Sequence, residues 1–370
     1  MFPQAKKKRG QKVFVAMSGG VDSSVAAALL KRDGYDVHGL TMTLRLPGLY
    51  SQAIFATRLK EARQVARQLD IPHHSVDLGQ DFKQWVVKDF IHEYLNARTP
   101  NPCVRCNRFI KFGFLYDYAM KSGTDYLATG HYARLVYNHS RSGFDLKRAR
   151  DRIKDQSYFL YSLQRGILSR LLFPLGDRLK TDVRRLAKKF DLQKTALRKE
   201  SQDICFIPTR GYKEFLTSVL PSKAISPGPF KTPDGRVVGE HRGIIRYTIG
   251  QREQLGLALG YPVYVYRIDK RANTVYVGRR EDLLVGGLIA YKGNFLREQQ
   301  PVRPFWANVR IRYNAPAVQA RITPLPRRRF LVRFRHPQPA VTPGQSVVFY
   351  QGDRLEGGGM IRQSLWPHSR

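Results

Sequence analysis

The chain has 370 residues, 42% hydrophobic and 25% charged, a composition that fits two or three packed cores and excludes a disordered or fibrous protein. No apolar run approaches the roughly 20 residues of a membrane span, and the opening MFPQAKKKRGQK lacks the apolar stretch of a signal peptide, so no membrane association and a cytoplasmic location are expected. The 64 Lys and Arg against 29 Asp and Glu give a net charge of +35, densest at Lys6–Arg9, Arg141–Arg152, Arg178–Lys199 and Arg327–Arg329, and a polyanion is the natural partner of such an excess.

In chain order, residues 12–17 (KVFVAM) read as a buried parallel strand, SGGVDSS at 18–24 as a loop, and VAAALLKRDG as a helix. The alternation continues with a strand at Val37–Leu44, a helix at Arg58–Leu69 and a strand at His74–Leu78. Helices at Phe82–Ala97 and Phe112–Lys121 and a strand at Tyr126–Thr129 follow. This is an α/β domain with a mostly parallel sheet, whose ligands bind at the carboxyl ends of the strands, where the 18–24 loop falls. From about Gly211 the pattern changes: a short helix to Val219, Pro- and Gly-rich linkers, then alternating segments such as PVYVYRID and TVYVG. The last eighty residues are strand-like and Arg-rich (ANVRIRY, QARITPL, RRFLVRFR, QSVVFYQG). The expected division is a nucleotide-binding domain over 1–210, a small central domain over 211–285 and a C-terminal β-barrel over 286–370. Alternating Arg, Tyr and Phe on strands suits RNA, although outward basic residues are also what an ordinary barrel carries.

The 18–24 loop has the makings of an anion site. Gly19 and Gly20 allow a sharp turn that brings backbone N–H groups to a phosphate, and the helix that follows presents its positive end to it. Ser18, Ser23 and Ser24 add hydroxyl donors, and Asp22 suits a magnesium ion or the far side of a nucleotide. There is no GxxxxGKS and no GxGxxG, so neither a Walker loop nor a dinucleotide fingerprint is present. SGGVDSS resembles the pyrophosphatase (PP) loop of enzymes that split ATP into AMP and pyrophosphate while adenylating a carbonyl oxygen, with an adenine-nucleotide α-hydrolase-like fold.

Only three cysteines occur, Cys103, Cys106 and Cys205, a count that argues against a disulfide framework and for metal or sulfur chemistry. They lie in TPNPCVRCNRFIKF (99–112) and ESQDICFIP (200–208). Together with ATGHYAR (128–134), KDQSYFLY (154–161), GQREQLGLALG (250–260), YVGRRED (276–282), RIRYNAP (310–316) and TPGQSVVFYQGD (342–353), these motifs resemble the tRNA-specific 2-thiouridylases over nearly the whole chain. The resemblance implies that ATP adenylates the wobble uridine of the tRNAs for Lys, Glu and Gln and that sulfur then displaces AMP. It implies ATP contacts at Ala16, Met17, Ser18, Gly19, Gly20, Val21, Asp22, Ser23, Met42 and Gly130. It places tRNA contacts at Asn101, Pro102, Cys103, His131, Lys154, Asp155, Gln156, Arg312, Tyr313 and Gln351. Cys106 is then the nucleophile and Cys205 the persulfide carrier, fed by a sulfur-donor protein (a cysteine desulfurase or relay), with the chain expected to act as a monomer.

The chemistry suits these residue types: adenylation turns a poor leaving oxygen into AMP, and a thiolate or persulfide is a strong nucleophile. Pro100 and Pro102 stiffen the loop presenting Cys103 and Cys106, and Arg105 or Arg108 is a candidate for lowering a thiol pKa. Family members commonly carry Asp where this chain has Cys103. The resulting CxxC plus one distant Cys also resembles the ligand set of a 4Fe–4S cluster with one open iron, so Cys103, Cys106 and Cys205 are alternatively cluster ligands. A zinc site completed by His131 and a structural disulfide are the other readings of these cysteines. For the whole chain, the rivals are another adenylating synthetase and an RNA-binding protein with an inactive nucleotide loop.

Overall fold

The computed structural model describes residues 10–46, 52–192, 204–207, 211–221, 225–297 and 300–366. The basic run Lys6–Arg9, the end of the Arg178–Lys199 run and the flanks of the ESQDICFIP motif lie outside the described residues.

The first strand, β1 (Lys12–Ala16), is apolar on both faces because both are covered. Val13 and Val15 face one layer of helices and Phe14 the other, and all three are essentially inaccessible. It is the centre of a five-stranded sheet with β2 (Asp36–Thr43), β3 (His73–Asp77), β4 (Tyr126–Thr129) and β7 (Leu171–Leu172), in the order β3-β2-β1-β4-β7. All its pairings are parallel, as the strand–helix alternation requires. Helices α1 (Val21–Arg32), α2 (Gln52–Gln68) and α5 (Lys180–Lys189) cover the Val13 face. The opposite face carries α3 (residues 79–95) and α4 (residues 102–121).

Both of these last helices contain a π-helical stretch, Lys83–Val87 and Cys106–Phe114. The second starts at a catalytic candidate. The TPNPCVRC segment is not the stiff loop expected of it: Asn101 caps a helix by accepting from the Val104 N–H at 3.3 Å, and Pro102 sits in the first turn. There its missing N–H costs nothing and its fixed φ favours the helix.

A hairpin of β5 (Ala133–Asn138) and β6 (Gly143–Arg148), not anticipated, leaves the first domain and meets the barrel at Lys147 and Arg354. After helix α6 (Tyr212–Val219) the central domain is a four-stranded sheet. Its strands are β8 (Gly228–Lys231), β9 (Val237–His241), β10 (Tyr264–Asp269) and β11 (Thr274–Gly278), around Phe230, Val265, Val275 and Val277.

The C-terminal strands are β12 (Leu284–Phe295), β13 (Phe305–Arg310), β14 (Val318–Leu325), β15 (Arg329–Pro339), β16 (Ser346–Gln351) and β17 (Arg354–Leu365). They run β12-β15-β14-β13-β16-β17, and β17 pairs back onto β12 to close the barrel over Leu288, Val309, Ile322, Val332, Phe349 and Ile361. The barrel grips the start of α4. The Thr99 N–H donates to Pro343 O at 2.8 Å, and Gln345 Nε2 donates to the carbonyls of Thr99 and Pro100 at 3.0 Å.

Candidate active site

The anion loop forms where β1 ends. Gly19 has φ +74°, and a Cβ there would lie 2.8 Å from the Glu61 side chain and 3.0 Å from the Arg58 carbonyl, so both its conformation and its surroundings require glycine. Ser23 Oγ and Ser24 Oγ each donate to Gly20 O at 3.0 Å, and the Ser18 N–H donates to Ser23 Oγ at 3.2 Å. The serine hydroxyls therefore brace the turn from within. No side chain caps the first turn of α1, so its N–H groups stay directed at the site.

Gly130, at the end of β4, packs against this turn so closely that a Cβ would come within 2.8 Å of Asp22 C and Ser23 N. Its contribution in the structure is to let two backbones touch. Met17 is buried with its carbonyl accepting from Thr41 Oγ1 at 2.9 Å, and Ala16 packs on the core.

Asp22 is the acid of the loop. Its carboxylate accepts from Lys180 Nζ at 2.7 and 2.9 Å and from the Tyr132 hydroxyl at 2.8 Å. Lys180, only 6% exposed, sits at the first position of α5. The sequence reading missed it, because only the fold brings Lys180 to Asp22.

Ser18, Gly20, Val21, Asp22 and Met42 line one cavity of about 430 Å³, whose far wall holds Pro102, Cys103, Cys106, His131, Gln156 and Cys205. Two motifs a hundred residues apart in sequence, the CxxC and the Cys205 segment, thus meet opposite the anion loop. Cys205 is held there by its neighbour: Phe206 is 1% exposed and sits edge-on to Phe82, Phe90 and Phe215. Cys103 is exposed, Cys205 half-buried and Cys106 buried, and all three are free thiols.

Burial raises the Cys106 thiol pKa to about 12 and shifts that of Cys205 upward, with Lys111 opposing the rise at each. At Cys205 the guanidinium of Arg58 opposes it as well. The expectation for Arg105 and Arg108 is not met. Arg105 points away from the thiols, paired with Asp89 at 3.2 Å, donating to Trp85 O at 3.3 Å and lying 4.4 Å from the Phe109 ring centre. Arg108 lies 5.1 Å from the centre of the same ring. Neither Arg58 nor Lys111 stood out in the sequence, because only tertiary packing brings them to the sulfurs.

His131 is buried, bonded through Nδ1 to Thr129 Oγ1 at 2.7 Å, and held neutral by burial and by Lys111. Gln156 accepts from the Tyr132 N–H at 3.0 Å and faces the cavity. The remaining residues expected at tRNA stand outside the cavity lining. Asn101 is the α4 cap. Asp155 is buried, accepting from Ala149 N–H, Ser157 N–H and Ser157 Oγ, with Arg148 and Arg310 beside it. The Lys154 N–H donates to Asp151. Arg312 ties Ile249 O, Ala340 O and Thr342 Oγ1 together, and Tyr313 packs on Phe159, a cavity residue. Gln351 is exposed and accepts from Arg354.

Among the described residues no three His, Cys, Asp or Glu side chains are grouped so as to hold a metal ion. Among them, too, no helix is long and apolar enough to cross a membrane.

A doubly covered parallel sheet, a glycine–serine anion loop at its carboxyl edge and three thiols across the same cavity define a PP-loop α/β protein equipped for sulfur chemistry. Family models confirm the three parts: a tRNA methyl transferase HUP domain matches residues 11–209, a tRNA methyl transferase PRC-barrel domain 213–279, and an aminomethyltransferase beta-barrel domain 285–361. The tRNA-specific 2-thiouridylase MnmA of Carboxydothermus hydrogenoformans is 46% identical over 96% of this chain and 98% of its own. That of Natranaerobius thermophilus is 45% identical over 95% and 97%. The chain belongs to the tRNA-specific 2-thiouridylase family. Among solved structures it is similar to a U34-tRNA thiolase, NcsA, from Methanococcus maripaludis, at 18% identity over 57% of this chain and 66% of that one, with a TM-score of 0.36.

Proposed function

We propose that this chain adenylates the 2-carbonyl of a tRNA uridine with ATP and replaces its oxygen with sulfur, and that the wobble uridine of the tRNAs for Lys, Glu and Gln is the target. The observation that carries the reading is the shared cavity, with an anion loop on one wall and Cys103, Cys106 and Cys205 on the other. The family models are described by methyl transfer and the relatives by thiolation. An apposed anion loop and thiols suit the second chemistry, in which phosphate activation and sulfur attack occur at one carbon.

In the first half-reaction the 2-carbonyl oxygen attacks the α-phosphorus, pyrophosphate leaves, and the uracil N3 proton is released. Ser18, Gly20 and the open N–H groups of α1 receive the phosphates. Asp22 is the one carboxylate on the cavity wall among the described residues, and with the phosphate oxygens it would hold Mg²⁺, which supplies charge neutralisation.

In the second half-reaction the terminal sulfur of a Cys205 persulfide, loaded by a donor protein, attacks C2. The C2–O bond breaks and its electron pair leaves with AMP. The Cys106 thiolate then attacks Cys205 Sγ, the S–S bond breaks toward C2, and N3 takes a proton. This gives 2-thiouridine and a Cys106–Cys205 disulfide, which a thiol reductant must reset. Free cysteines accord with a reducing, cytoplasmic setting.

The test of this sulfur route is iron and acid-labile sulfide analysis of protein purified without oxygen, with thiolation assayed on the same sample. Full activity without iron supports the thiol route. Activity that requires about four irons per chain would overturn it and make the three cysteines ligands.

A further inference from the structure

The cavity wall carries two cations, Arg58 and Lys111, and a third, Lys180, stands behind it on the wall residue Asp22. Arg58 is hydrogen-bonded to the Cys205 sulfur and Lys180 is committed to Asp22. Lys111 lines the cavity half-buried, and no hydrogen bond or ion pair to it occurs among the described residues. A partly desolvated ammonium without a counter-ion is costly, so its place on a cavity wall points to an anion that arrives with the substrate.

Local winding explains how it gets there. Lys111 follows Cys106 by five residues, and in an α-helix such a pair lies about 140° apart around the axis. Residues 106–114 are instead π-helical, and i→i+5 closure brings the fifth residue back toward the face of the first. The π segment therefore turns Lys111 to the cavity that Cys106 faces. Buried Ile110 and Phe112 on either side fix the winding.

We propose that Lys111 is a catalytic residue of the sulfur-transfer step: its ammonium holds the α-phosphate of the adenylated base while sulfur displaces it. This rests on the thiolation reading above. When C2–O breaks, the phosphate gains a negative charge at the carbon under attack, so a cation on the thiol wall stabilises the departing group more than the bound ester. Lys180, by contrast, is held by Asp22 of the loop.

Two measurements test it, using the full chain. In single turnover with tRNA, ATP and a persulfide source, Lys111→Gln lowers thiouridine formation about a hundredfold, while Lys111→Arg recovers most of it. The tRNA dissociation constant stays unchanged in both. Independently of any tRNA chemistry, the cavity thiols are alkylated with iodoacetate, an anion, and with neutral iodoacetamide. The iodoacetate-to-iodoacetamide rate ratio falls about tenfold in Lys111→Gln and is retained in Lys111→Arg. An unchanged ratio in Lys111→Gln overturns the proposal even if the wild-type protein thiolates tRNA. A wild type that forms no thiouridine while the ratio shifts as expected overturns the thiolation reading and leaves Lys111 an anion-binding residue. Thermal unfolding gives a further check: loss of an unpaired cation leaves the midpoint unchanged or higher. A lowered midpoint assigns Lys111 a structural role instead. If Lys111→Gln does not fold, that role is likewise assigned.

Discussion

Replacing Gly130 by Ala tests how tightly the anion loop is held. The added Cβ would lie 2.8 Å from both Asp22 C and Ser23 N, where ordinary contact begins at about 3.4 Å. Both neighbours are backbone in the first turn of α1, so the strain cannot be relieved by rotating a side chain. The turn must move by several tenths of an ångström, carrying with it the N–H groups that face the phosphates. Overpacking of this kind costs about 1–3 kcal/mol of stability. Misplacement on the scale of an ångström costs about a hundredfold in rate, so a loss of about ten- to a hundredfold in kcat/KM for ATP is expected in tRNA-dependent ATP–pyrophosphate exchange. Gly166→Ala is the control, since a Cβ there meets nothing within 4 Å. It should leave both exchange and Tm unchanged. Wild-type exchange kinetics in Gly130→Ala would refute the argument that this contact positions the loop.

Three further outcomes are expected. Cys106→Ser binds tRNA with the wild-type dissociation constant in filter binding but forms no thiouridine; retained thiolation would remove Cys106 from the sulfur route. Because burial raises the Cys106 pKa to about 12, the neutral thiol is favoured below that value. Iodoacetamide labelling of Cys106, followed by peptide mass spectrometry, should therefore accelerate about tenfold per pH unit from pH 7 to pH 10 without levelling. A plateau near pH 8 would contradict the described burial. Arg312→Ala cuts the links from Arg312 to Ile249 O, Ala340 O and Thr342 Oγ1, and should lower stability by about 1–3 kcal/mol. Denaturant unfolding measures this, and an unchanged midpoint would show that the junction does not depend on the guanidinium.

The strand–loop–helix at 12–32 was legible because its signals are local: a doubly buried apolar run, two glycines, and serines that brace the turn. The cysteines were legible as chemistry but not as geometry, since the cavity that gathers them depends on Phe206 packing among Phe82, Phe90 and Phe215. Pro102 was misread because proline stiffens a loop and opens a helix equally well, and only the Asn101 cap shows which applies. Arg105 was misassigned for a related reason: its neighbours in sequence are thiols, but its neighbours in space are Asp89, Trp85 and Phe109. The helix was expected only from Phe112, so neither the π winding of 106–114 nor the position of Lys111 within it was read from the sequence. Part of the basic surplus was absorbed by the fold. Arg152 pairs with Asp353 and Arg148 lies 4.5 Å from the Tyr350 ring centre, whereas Arg327 and Arg328 at the β14–β15 turn remain exposed.

The most direct measurement is tRNA thiolation by the purified chain, reading 2-thiouridine by nucleoside mass spectrometry and AMP on the same sample. The account predicts 2-thiouridine only when ATP and a persulfide source are both present, with AMP and thiouridine formed in equal amounts. Thiouridine formed without ATP, or AMP released with no sulfur entering the tRNA, would contradict it.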